Sequence, residues 1–128
     1  MPPSRSLVIL LIGTDSVLTY LIERYAERSG YEVRVLPSMP SPFDANDVQP
    51  AVVLFSSIEN LEAAQAQIAR LSNSEIPLLV CSSINDQTRA HELGADYCLV
   101  HPLTYDGFLA ALTAVHLAPA NRHQTKAK

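Results

Sequence analysis

The sequence is poor in features that would make one chemistry visible. Its four glycines, Gly13, Gly30, Gly94 and Gly107, stand apart from one another, so no glycine-rich phosphate fingerprint exists and nucleotide binding loses its usual signal. No G-x-S-x-G elbow surrounds any serine, and no orienting acid is apparent for a Ser56–His101 pair, which argues against a hydrolase. There are only two cysteines, Cys81 and Cys98, and no Cys or His pair has zinc-ligand spacing. Both read as small buried hydrophobes, and a structural disulfide is not expected in a reducing compartment. Nine Lys and Arg face 13 Asp and Glu, a net charge of −4 without a basic cluster. That balance argues against nonspecific nucleic-acid binding. The longest apolar run, Leu7 to Ile12, is too short to span a bilayer, and Met1 to Arg5 opens no apolar signal segment. A cytoplasmic location without membrane contact is the expectation, and no internal repeat is visible.

What the chain does contain is an alternation of strand and helix signals. Leu7–Ile12 is a continuous apolar run, as in a strand buried on both faces. Ser16–Ser29 carries a helical stripe of Val17, Leu18, Leu21, Ile22 and Tyr25, stopped by Gly30. Further strands are expected at Glu32–Leu36, Ala51–Phe55, Pro77–Cys81 and Cys98–Val100. Helices are expected over Ser57–Ser72 (Leu61, Ala64, Ile68 and Leu71 inward), Asn85–Leu93 and Tyr105–Leu117. Strands separated by helices pair in parallel through right-handed crossovers. Five such units predict an α/β flavodoxin-like, receiver-like three-layer sandwich with a five-stranded parallel sheet in the order 2-1-3-4-5. Between Leu36 and Pro50 the prolines at 37, 40 and 42 oppose a regular second helix, leaving it degenerate, with Met39, Phe43 and Val48 covering the sheet from a loop. The expected organisation is one domain over residues 1–118 and a polar, disordered tail over 119–128.

Ligands in such sheets sit beyond the carboxyl ends of the strands, where Thr14, Asp15, Ser56, Ser82 and His101 fall. The stretch Gly94-Ala-Asp-Tyr-Cys-Leu-Val-His-Pro-Leu103 is similar to the GADDYLxKPF segment of response regulator receiver domains. Gly30-Tyr-Glu-Val33, Pro50-Ala-Val-Val-Leu-Phe55 and Ile76-Pro-Leu-Leu-Val80 follow the same order and spacing, so the chain resembles that family from Leu7 to Leu117. The resemblance implies a site with two acids after the first strand and one after the third, holding Mg²⁺ through oxygen ligands. It further implies a phosphate-accepting aspartate, a lysine before a proline, and a reporter hydroxyl after the fourth strand. Here the acid pair falls on Gly13 and Thr14, with Asp15 one position late. The acceptor position is Ser56, the lysine position is His101 before Pro102, and only Ser82 matches the reporter. The loops after Ser56 and Ser82 are also shorter than the family's. These departures describe a pseudo-receiver, with no metal, no cofactor and no catalytic residue expected.

Simpler roles are expected for several of these residues. Ser56 and Glu59 form an S-x-x-E capping box, Ser83 and Asp86 a similar pair, and Asp15 a cap for the first helix. His101 is either a partly buried, hydrogen-bonded residue or a cation helping Thr14, Ser56 and Ser82 hold an anion. The last helix has no acid, Lys or Arg between Asp106 and Arg122. Its core stripe is expected to be Phe108, Leu109, Leu112 and Val115. Tyr105, Ala110, Ala111, Ala114 and Leu117 are then candidates for an interface, homodimeric or with a signalling partner, shared with the fifth strand. The function that follows is a protein-interaction module in two-component or phosphorelay signalling. The alternative is a flavodoxin-like domain binding a small ligand or an anion.

Overall fold

The computed structural model describes residues 8–39, 50–71 and 76–117, the side chains of 70, 71, 116 and 117 excepted. Strands β1 (Val8–Ile12), β2 (Glu32–Leu36), β3 (Val52–Phe55), β4 (Leu78–Ser82) and β5 (Tyr97–Val100) form one sheet in the order β2-β1-β3-β4-β5. Every neighbouring pair is parallel. This is the predicted topology. The expected degenerate second helix lies largely in residues 40–49, with Phe43 and Val48, and the expected tail covers 119–128. Both stretches fall outside the described residues.

Helix α1 (Ser16–Ser29) matches its expected bounds because both ends are specified locally. Asp15 accepts a hydrogen bond from Leu18 N at 3.0 Å. Gly30 ends the helix in the left-handed region at φ 85°, where Tyr31 N donates back to Ala26 O at 2.8 Å. The buried stripe is Leu18, Ile22 and Ala26. Val17, placed in that stripe by the sequence reading, is 70% exposed. One residue along a helix turns the side chain by about 100°, so Val17 and Leu18 cannot both face the sheet squarely.

The single helix expected over Ser57–Ser72 is two, α2 (Ile58–Ala63) and α3 (Gln65–Leu71), joined through Ala64. Gln65 Nε2 donates to Leu61 O at 3.0 Å and to Leu93 O at 2.9 Å. The amide satisfies a carbonyl near the break and ties it to the next helix. Leu61, Ala64 and Ile68 face inward as expected; the Leu71 side chain is outside the described set. A 3₁₀ turn (Ile84–Asp86) leads into α4 (Gln87–Glu92), and α5 (Tyr105–Leu117) is the last element among the described residues.

Side chains alternate across each strand and build two cores. Ile9, Leu11, Leu54, Leu79 and Cys81 meet α1 and α5 on one face. Leu10, Ile12, Met39, Val53, Phe55 and Val80 meet α2, α3 and α4 on the other. Met39 therefore covers the sheet as expected. Cys81 belongs to the first face and Cys98 packs against the second, so these free thiols point apart and cannot pair.

Candidate functional site at the strand ends

Gly13, Ser56 and His101 stand immediately beyond β1, β3 and β5, and Ser82 is the last residue of β4, where the ladder's last hydrogen bonds hold them. Gly13 N donates to Leu36 O at 2.8 Å, Ser56 N to Ile12 O at 2.9 Å, and His101 N to Ser82 O at 3.2 Å. Parallel register thus aligns Gly13, Ser56, Ser82 and His101 along one sheet edge. Burial separates them again. Gly13, Ser56 and Ser82 are buried, whereas Thr14, Asp15, His101 and Pro102 are exposed. His101, joined to Pro102 by a cis peptide bond, is not the partly buried histidine that the simpler expectation described.

Ser56 is not the helix cap. Its backbone is still engaged with β1, so α2 starts one residue later and Ser57 Oγ accepts from Asn60 N at 3.2 Å. Ser56 Oγ instead accepts from Asn60 Nδ2 at 2.8 Å. Asn60 is the residue of this corner that sequence reasoning missed; its only signal is an amide four residues after Ser56, at the spacing of one helical turn. The second expected cap also differs. Ser83 Oγ donates to the Asp86 carboxylate at 3.1 Å, and no side chain caps the 3₁₀ turn.

Ser82 Oγ is buried and makes no hydrogen bond of ordinary geometry among the described residues. The Cys98 sulfur is beside it: burial pushes the Cys98 thiol up, and the Ser82 hydroxyl partly offsets that rise. Burial pushes the Cys81 thiol up to about 12, and the Asp15 carboxylate adds to the effect. Asp15 therefore projects negative charge toward the end of β4 while its oxygen is committed to the α1 cap.

These residues do not fit Mg²⁺. A hard divalent ion needs several oxygen ligands with negative charge among them. Gly13 offers no side chain, Thr14 and Ser56 offer neutral hydroxyls, and Asp15 is a helix cap. Among the described residues no group of three or more His, Cys, Asp or Glu side chains could hold a metal ion.

The last helix corrects one interface residue. Ala111 is fully buried with Phe108, Leu112 and Val115, so it belongs to the core, while Leu109, expected in that stripe, is half-buried. Ala110 is exposed and Ala114 half-buried; the Leu117 side chain lies outside the described residues. Tyr105 is engaged internally: its ring lies 5.6 Å from that of Tyr25, and Arg28 stacks over it at 4.1 Å. Tyr25 also reaches Phe108 at 5.7 Å and donates from its hydroxyl to Leu103 O at 3.4 Å.

Concave surface among the described residues lies between α1 and the edge strand β2 and reaches the strand-end corner at Gly13 and Thr14. A groove of about 390 Å³ is lined by Thr14, Ser16, Tyr20, Glu23, Val35 and Pro37 among others. A second, of about 360 Å³, shares Tyr20 and Glu23 and adds Arg24, Glu27 and Tyr31. Tyr20 and Val35 are 57% and 40% exposed, so the groove has an apolar floor open to solvent. The signal for it was present in α1, where Val17 and Tyr20 fall off the Leu18–Ile22–Ala26 stripe.

No protein-family model matches the chain, and no curated protein matches it. Solved structures do. The chain is similar to full-length FixJ from B. japonicum at 20% identity and a TM-score of 0.67, covering 94% of this chain and 62% of FixJ. It is similar to the Vibrio cholerae chemotaxis protein CheY4 at 18% identity and a TM-score of 0.69, covering 86% of this chain and 98% of the other. An orphan response regulator of H. pylori shares 24% identity at a TM-score of 0.64, with 87% and 97% covered. At these identities the likeness is one of fold: the chain has the architecture of response regulator receiver domains. It spans less than two thirds of FixJ, and no helix among its described residues is long and apolar enough to cross a membrane.

Proposed function

We propose that this chain is a pseudo-receiver, a non-enzymatic protein-interaction module in two-component or phosphorelay signalling that works without phosphorylation or cofactor. One observation carries the reading: β3 is followed by Ser56, whose hydroxyl oxygen accepts from Asn60, and β1 is followed by Gly13 and Thr14. A serine hydroxyl without a general base does not replace an aspartate as phosphoryl acceptor, and neutral residues do not gather the ion that such transfer uses. Binding would run through helix faces, with exposed Ala110 and half-buried Ala114 of α5 and Tyr97 of β5 as the partner or homodimer surface. Solution NMR tests the reading. Amide signals of residues 13–15 and 56 should stay in place when Mg²⁺ and beryllofluoride are added together. Saturable shifts there, or an acid-labile acyl phosphate recovered after acetyl phosphate treatment, would overturn it.

The groove beside α1 favours a second reading, a flavodoxin-like domain for a small ligand or an anion. Its Thr14 and Ser16 hydroxyls lie near the positive end of α1, but Glu23 lines the same groove and opposes an anion. Small ligands that raise the melting temperature and shift Tyr20 and Val35 signals would select this reading.

A further inference from the structure

Loss of the acids does not by itself explain how the β1–β3 corner is filled. Gly13 has a φ of +144°, a conformation that L side chains rarely adopt. A Cβ placed there would overlap the Ser56 hydroxyl outright, and would lie 2.7 Å from Ser56 Cβ and 2.8 Å from Asn60 Nδ2. Gly30, also at positive φ, has nothing within 4 Å of such an atom. Gly30 is thus required by backbone conformation alone, Gly13 by conformation and by volume.

Both sides of that contact are anchored. Ser56 is 6% exposed and bound through its backbone to Ile12, while Asn60 is fixed at the start of α2 by the Ser57 cap. We propose that Ser56 and Asn60 form an internal plug. A neutral hydroxyl–amide pair fills the space above Gly13, denies that space to metal ions and anions, and holds β1, β3 and the start of α2 in one arrangement. A cluster of carboxylates would need a cation to offset its repulsion; this neutral pair needs none, and the Ser56 oxygen takes its hydrogen bond from Asn60. Asn60 is the positioning residue, since its amide fixes the Ser56 hydroxyl over the glycine. Restoring an acid at position 13 alone finds no room. Control of the binding surfaces then comes from partners, not from a ligand at this corner. The inference deepens the metal-free reading of the corner, but its test is separate.

That test is a double-mutant cycle on the full chain, read by thermal melting. Gly13→Ala incurs backbone strain and a close approach to the Asn60 amide whether residue 56 is Ser or Gly, but the collision with the residue 56 side chain exists only with Ser. The drop caused by Gly13→Ala should therefore shrink by roughly 4–12 °C in the Ser56→Gly background. Additive drops, equal within about 2 °C, would overturn the plug. If Gly13→Ala does not fold, the unsubstituted chain decides. The Asn60 side-chain amide should exchange its hydrogens at least about tenfold more slowly than a solvated amide. Exchange at the solvated rate would reject the proposal. Mg²⁺-induced shifts confined to Thr14 and Asp15, with the coupling intact, would instead strike the metal-free reading and leave the plug standing.

Discussion

Replacing Ala111 with lysine measures which face of the last helix is available to a partner. Ala111 is 0% exposed and sits in the α5 stripe of Phe108, Leu112 and Val115 against the sheet. Three added side-chain carbons and an amine overpack a filled core, which costs about 1–3 kcal/mol. Holding the amine neutral at pH 7 in an apolar site costs roughly 5 kcal/mol more, from the gap between pH 7 and an ordinary lysine pKa of about 10.4. The sum of about 6–8 kcal/mol is comparable to the whole stability of a small domain, about 5–15 kcal/mol. Ala110, the preceding residue, is exposed, so Ala110→Lys should change stability by no more than about 0.5 kcal/mol. In urea and thermal melts followed by circular dichroism, Ala111→Lys should be unfolded at 37 °C or lose roughly 20 °C, whereas Ala110→Lys should stay within about 3 °C. An Ala111→Lys variant melting within a few degrees of the parent would refute the placement of this helix face. It would also return Ala111 to the interface where the sequence reading put it.

Two further outcomes follow from local features. Asp15→Ala removes the acceptor for Leu18 N and should cost about 1 kcal/mol in urea titration without changing the m-value; a loss below about 0.3 kcal/mol would show that the cap is not holding α1. Cys81, whose thiol burial holds up to about 12 from an ordinary 9, makes stability depend on alkaline pH. The unfolded thiol ionises near 9 while the folded one keeps its proton, so the contribution is complete below pH 9 and declines as pH rises toward 12. The slope approaches about 1.4 kcal/mol per pH unit. Stability measured from pH 8 to 10.5 should fall more steeply in the parent than in Cys81→Ala; parallel profiles would contradict the burial of that thiol.

Much of the architecture was legible because periodicity and end signals agreed. Asp15 and Gly30 bracket a helical stripe, and the bounds of α1 followed from them. The continuous apolar runs of β1, β3 and β4 are what a sheet buried on both faces requires. Legibility failed where one side chain had two partners to choose between. Ser56 and Ser57 both stand three residues before a polar residue, so spacing alone supports a cap at either. The choice fell to Ser57 because Ser56 was still bound to β1. The break at Ala64 was invisible because Gln65 bridges to Leu93, 28 residues away. Ala111 and Ala110 look alike in a run of small apolar residues, and only the angle at which α5 meets the sheet separates core from surface.

The order of the strands, their parallel pairing and the missing carboxylates were determined by the amino-acid sequence, since each follows from residue type and spacing. What fills the place of those carboxylates was decided by the tertiary structure. The contact of Gly13 with Ser56 and Asn60 joins residues more than forty positions apart, through a parallel register that no local pattern encodes.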